Sequence, residues 1–142
     1  MRATETKVVG GHTYAVSQLP ARRAGELFVK LGRLGGPSLL ELISRGRDLD
    51  RDVRALAPVV VLLFDRIPPG EFTAIADELL STATRDGKPL ADTVDLVFQG
   101  QLFNMMQVLW FAIVVNFSDF RDGLAGLLGP AMADERSEDT TT

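Results

Sequence analysis

The stretch from Leu102 to Phe117 limits the fold more than any other part of the chain. It is apolar almost throughout, and Val108 to Val115 holds no polar residue. A surface helix carries a single apolar stripe, whereas a segment apolar on all sides must be buried, in protein or in lipid. A membrane span needs about 20 apolar residues. This run is shorter, and Asn104, Gln107 and Asn116 interrupt or end it. Its length favours a buried helix. The alternative is a small membrane-associated helical protein that uses residues 102–117 as a hydrophobic anchor.

The rest of the chain has to cover that helix. With 142 residues it is long enough for one domain with a core, and a domain of this size buries roughly two-thirds of its unfolded surface. Hydrophobic residues are 46% and charged residues 24%, so intrinsic disorder is not expected over most of the chain. The formal net charge of -4 repels phosphate backbones and argues against general nucleic-acid binding. The absence of cysteine removes disulfides and thiolate chemistry, and it fits a reducing compartment. Met1 to Lys7 lacks the apolar region of a secretory signal, and without export the sequon Asn116-Phe117-Ser118 carries no meaning.

Residues 6–19 read as a β-hairpin, with Lys7-Val8-Val9 and His12 to Val16 flanking Gly10-Gly11, a pair that supplies the positive φ of a tight turn. A two-stranded hairpin alone is marginal in water, so it must pack on something or pair with another edge. Pro20 suits a first helical turn. Ala24, Leu27, Phe28, Leu31 and Leu34 then recur at helical spacing. Gly35-Gly36 ends this helix, and Pro37 starts a short one with Leu39, Leu40, Leu42 and Ile43. Gly46 to Asp50 is a polar loop. A helix is expected over about Asp52 to Arg66, with Pro58 kinking it or marking its true start. The run Val59 to Phe64 implies that much of its circumference is buried. After Ile67-Pro68-Pro69-Gly70, Phe72, Ile75, Ala76, Leu79 and Leu80 line one face of another helix. Asp86-Gly87 is a turn signal. Asp92 caps a helix from near Thr93 that Gly100 divides, and Phe120 to Leu128 is a last amphipathic piece. The expected architecture is mainly α: one domain over residues 1–130, built as a hairpin (6–19) and a compact bundle of about five to six helices (20–130). A disordered acidic tail (131–142) completes it.

Little of this points to catalysis. His12 is the only histidine, so neither a histidine metal site nor a Ser-His pair has support. Asp48, Asp50 and Asp52 alternate as calcium-loop ligands do, but Val53 and Val59 stand where a glycine and a glutamate are needed. Gly32, Gly35 and Gly36 are not a phosphate loop, since no strand precedes them and no Gly-Lys-Ser/Thr follows. Glu71, Asp77 and Glu78 favour a helix start. From Arg22 to Arg54 the chain carries eight basic residues against five acids, either a solvated face or a docking patch for an acidic partner. The expectation is a protein without enzymatic activity, metal or cofactor. What remains is apolar surface: Leu102, Met105, Met106, Leu109, Trp110 and Ile113 form either plain core or a groove for a partner helix.

Three phrases carry a resemblance. Gly10-Gly11-His12-Thr13-Tyr14-Ala15-Val16-Ser17-Gln18-Leu19-Pro20-Ala21-Arg22-Arg23 resembles the opening of a phage tail assembly chaperone family of lambda-like long-tailed phages, whose members start with a short hairpin ending in a similar "LPA" phrase. Asp86-Gly87-Lys88-Pro89-Leu90, followed by Phe98-Gln99-Gly100, is the second. Val114-Val115-Asn116-Phe117-Ser118-Asp119-Phe120 is similar to the family's closing "VNFgdF", with Val114 standing where several relatives have a more polar residue.

The resemblance implies a role rather than a reaction. Such a chaperone works in the host cytoplasm and binds the tape measure protein, a long helical client, keeping it soluble until the tail tube forms around it. It is not expected in the mature virion. Self-association and contact with the tail tube protein fit the same role, and some relatives have a longer form made by ribosomal frameshifting. No membrane or nucleic-acid partner is implied, and the family brings no catalytic residues. On this view the groove is Leu102, Met105, Met106, Leu109, Trp110 and Ile113.

Overall fold

The computed structural model describes residues 4–45 and 53–118. The polar loop at Gly46 to Asp50, the amphipathic piece Phe120 to Leu128 and the acidic tail lie outside the described residues. The chain opens as expected, with β1 (Thr4–Val9) and β2 (His12–Ser17) antiparallel from Thr4–Ser17 to Val9–His12. Gly10 and Gly11 take φ of 59° and 82°, the doubly positive pair that matches a two-residue turn to the strand twist.

The helices follow their punctuation. α1 (Ala21–Ser44) is two helices joined at a kink, where Gly36 has φ 64° and ψ -160° and Pro37 follows. A 3-10 turn (Val53–Leu56) leads into α2 (Ala57–Arg66), so Pro58 marks a helix start, where its missing N–H has no helical partner to lose. α2 packs on α1. Its expected burial is only partial. Val59 is buried and Val60 half-buried, but Val61 is 66% exposed, because a helix docked on one side keeps an outward stripe however apolar its sequence. α3 (Pro69–Leu80) buries Ile75, Ala76, Leu79 and Leu80. Two surface ion pairs tie α1 to it: Arg23 holds Glu78 through two bonds of 2.9 and 2.6 Å, and Lys30 meets Glu71 at 2.6 Å. Such exposed pairs contribute about 0–1 kcal/mol each.

The sheet is larger than the sequence led one to expect. β3 (Ala83–Arg85) adds to β2, and β4 (Lys88–Pro89) adds to β3, giving the antiparallel order β1-β2-β3-β4. Asp86-Gly87 is therefore a second hairpin turn, with φ of 51° and 86°. Val9, Tyr14, Val16 and Ala83 face the core from one side of this sheet, while Thr4, Thr6, Val8 and Thr13 are exposed on the other.

A single turn, α4 (Val94–Val97), is followed by Gly100 at φ 74°, which divides the segment as its sequence suggests. α5 (residues 102–118) closes the described fold. From Met106 to Phe117 every residue of α5 is buried, so the helix is enclosed on all sides. Among the described residues no helix is long and apolar enough to cross a membrane.

Candidate functional site

The three phrases that carry the resemblance come together in space, and the hairpin is where they meet. At its tip, Asp86 Oδ1 accepts the Thr13 N–H at 2.9 Å, and the Asp86 N–H donates to the Thr13 carbonyl at 2.7 Å. In the middle, Tyr14 stacks on Phe98 with centroids 5.8 Å apart and planes 17° from parallel. At the exit, the Leu19 N–H donates to Asn116 Oδ1 at 2.8 Å, and Asn116 Nδ2 donates to the Ala112 carbonyl at 2.8 Å. Gln18 Nε2 also reaches the Val115 carbonyl at 3.2 Å. The Asn116 amide thus takes one bond from the strand-to-helix link and gives one to its own helix, which fixes where α5 lies against the hairpin. A buried amide is tolerated when its donors and acceptors are matched in this way.

The sole histidine is held on both sides. His12 Nδ1 lies 2.7 Å from Asp86 Oδ2, and Arg85 Nη2 donates to His12 Nε2 at 2.6 Å. Arginine can only donate, so Nε2 carries the lone pair and Nδ1 the proton given to Asp86. With both ring nitrogens engaged, His12 has no free base to offer a substrate; it braces the first hairpin against the second. The bond from His12, and then the one from the Thr13 N–H, hold the Asp86 carboxyl below the ordinary range. Burial pushes the Tyr14 phenol up, Arg85 opposes this, and Asp86 adds to it. Among the described residues no three His, Asp or Glu side chains converge as metal ligands do.

The six residues expected to line a partner groove divide between surface and interior. Leu102 is 56% exposed and Met105 half-buried, whereas Met106, Leu109, Trp110 and Ile113 are buried. The last four face the protein's own core, since α5 is enclosed from Met106 onward. Two large apolar side chains outside that set are also exposed, Phe103 at 46% and Leu96 at 76%. The signal for them was available. Gly100 cuts α4 to one turn, and a single turn that turns Phe98 into the core leaves Leu96 outside. Of the six large hydrophobic side chains exposed among the described residues, three fall between positions 96 and 103, so the apolar surface is concentrated ahead of α5 and at its first turn. A second, shallow groove between α1 and the start of α3 is lined by Glu26, Val29, Lys30, Arg33, Leu34 and Glu71. Four of its six lining residues are charged, and the Lys30–Glu71 pair bridges it.

No curated protein and no solved structure matches the chain. A family model described as "Phage tail assembly chaperone protein, TAC" matches residues 10–134. That match runs from the first hairpin turn, through the His12–Asp86 brace and the Leu19–Asn116 bond, to beyond the end of α5, and the chain belongs to the phage tail assembly chaperone family.

Proposed function

We propose that this chaperone binds the tape measure protein in the host cytoplasm, covers an apolar stripe of that helical client, and leaves before the virion is complete. The observation that carries the reading is the apolar surface at Leu96, Leu102 and Phe103, exposed by 76%, 56% and 46%. Half-buried Met105 lies one turn along α5, while Met106, Leu109, Trp110 and Ile113 further along are buried. A client helix can lay its apolar residues against such a patch and bury area worth about 25 cal/mol per Å², less its ordering cost. Methionine suits a client whose stripe is irregular, because its side chain adapts to uneven surfaces. Client binding needs no chemistry, so any tail component that covers the same stripe more fully displaces the chaperone.

The test is co-expression of the chaperone with the tape measure protein of its own phage, followed by co-purification. Leu96→Asp, Leu102→Asp and Phe103→Asp remove apolar contact at exposed positions and leave the fold intact by circular dichroism. Each is expected to weaken capture of the client, and the triple variant to abolish it. Trp110→Asp places a charge in the core and unfolds the domain, which marks what loss of fold looks like in the same assay. Undiminished capture by the folded triple variant rejects this surface, and failure of the unaltered chain to bind the client rejects the client.

A further inference from the structure

The bridge from His12 to Arg85 depends on the absence of a proton. His12 Nε2 accepts from Arg85 Nη2 at 2.6 Å, and only an unprotonated ring nitrogen has a lone pair to accept with. Arg85 leans on that lone pair. It stands half-buried at the end of β3, and its Nε is buried without a partner. Among the described residues no second acceptor bonds the guanidinium.

The other side of the ring behaves in the opposite way. Nδ1 carries a proton in both charge states and gives it to Asp86 Oδ2 at 2.7 Å. The Asp86 carboxyl is held below its ordinary range by that bond and then by the Thr13 N–H, so it stays ionised while an imidazole titrates. A second ring proton therefore keeps the Asp86 bond and makes it charge-assisted. The same proton turns Nε2 into a donor and sets two cations face to face, an arrangement in which the Arg85 bond cannot survive. No neighbouring group takes its place. Tyr14 on the ring's own strand is a neutral phenol, Lys7 opposite it on β1 is a cation, and so is Lys88 opposite Arg85 on β4. Val9, opposite His12, is apolar, and Asn104 of α5, against Gly10, is uncharged.

We propose that His12 is a proton-operated latch between the two hairpins: the neutral ring holds both Asp86 and Arg85, and the protonated ring keeps Asp86 and releases Arg85. Histidine is the side chain suited to this, since its charge changes between about pH 5 and 8. Release leaves the tips of the hairpins joined through Asp86, by its bond to His12 and its two bonds to Thr13. It also frees a guanidinium at the end of β3, beside Lys88. The latch is independent of the client surface, which lies at residues 96–105.

His12 is the only histidine, so ring signals from the isotope-labelled full chain read it alone. With the ring neutral, nuclear magnetic resonance is expected to find the proton on Nδ1 and none on Nε2. As pH falls, the Arg85 guanidinium signal should move with the same midpoint as the ring. Its Nη protons should exchange with water about tenfold faster once the ring is protonated, as the loss of one hydrogen bond implies. His12→Gln keeps an acceptor for Arg85 but cannot take up a proton, so the Arg85 step is expected to vanish. Circular dichroism keeps each comparison between folded chains, and the unaltered chain decides by itself where the variant does not fold. The proposal is overturned by a neutral ring protonated on Nε2, by an Arg85 signal that does not follow the ring, or by a step that persists in folded His12→Gln. Failure of the chain to bind the tape measure protein leaves it standing.

Discussion

Asn116→Ala is the most direct test of how α5 is locked to the hairpin. The side chain is buried and makes two bonds of 2.8 Å, accepting from the Leu19 N–H and donating to the Ala112 carbonyl. Alanine fits the helix but leaves the Leu19 N–H without an acceptor in a buried place. Stranding one buried donor costs about 1–3 kcal/mol. The Ala112 carbonyl keeps its place in the helical ladder, so its loss adds little, and the vacated volume is small. A destabilisation of about 2–3 kcal/mol is expected, out of a total that for domains is about 5–15. With a urea slope of about 1–3 kcal/mol/M, the unfolding midpoint falls by about 1 M. Asn116→Asp separates the two bonds. One carboxylate oxygen still accepts from Leu19, but the other faces the Ala112 carbonyl with no proton to give. At neutral pH this variant should lose more than Asn116→Ala. Burial beside a carbonyl raises the carboxyl's pKa in the folded state, so stability returns as pH falls and is lost as pH rises. A loss below about 0.5 kcal/mol for the alanine variant, typical of ordinary surface substitutions, would refute the account of Asn116 as the clamp.

The remaining predictions concern the hairpin. Gly10→Ala is expected to destabilise the fold by about 1–2 kcal/mol from its positive φ alone, and by more because the new Cβ would sit 2.8 Å from Asn104 Nδ2. Gly11→Ala meets no atom within 4 Å and should cost the less of the two, as thermal unfolding will show. Tyr14 is the only tyrosine, so phenolate absorbance reads it alone. Its midpoint is expected above the ordinary value of 10.0, with stability present below that pH and lost as pH rises through the folded-state value. Asp86, whose carboxyl is held low by His12 and then by Thr13, acts with the opposite sign: its contribution is present above the ordinary value of 3.8 and is lost as pH falls through the folded-state value. Asp86→Asn, which tolerates the same positive φ, should flatten the acid limb of a urea-midpoint profile.

Local rules account for much of this molecule. Gly-Gly at the first hairpin and the break at Gly36-Pro37 were legible because each depends on a residue and its neighbours. So were the helix start at Pro58 and the division at Gly100. The second hairpin was legible only as a turn. Ala83 to Arg85 is too short for an alternating pattern, and it is a strand because β2 offers it an edge. Likewise Asn116 reads as the polar end of an apolar run until Leu19 is brought against it.

The candidate surface divides along the same line. That α5 had to be enclosed followed from its composition, since no face of it is polar enough for water. Which side chains at its N-terminal end stay open did not follow, because Leu102, Met106 and Trp110 are equally apolar. Exposure is a property of what packs alongside, and that is set by the whole chain. By itself, then, the sequence determined that these elements form, where they break, and that one helix is buried. Tertiary structure alone decided that His12 would be braced by Asp86 and Arg85, and that Leu96, Leu102 and Phe103 would face solvent while Trp110 lies in the core. The reason is physical: torsional preferences act between neighbours, whereas burial and hydrogen bonding act between residues up to 97 positions apart.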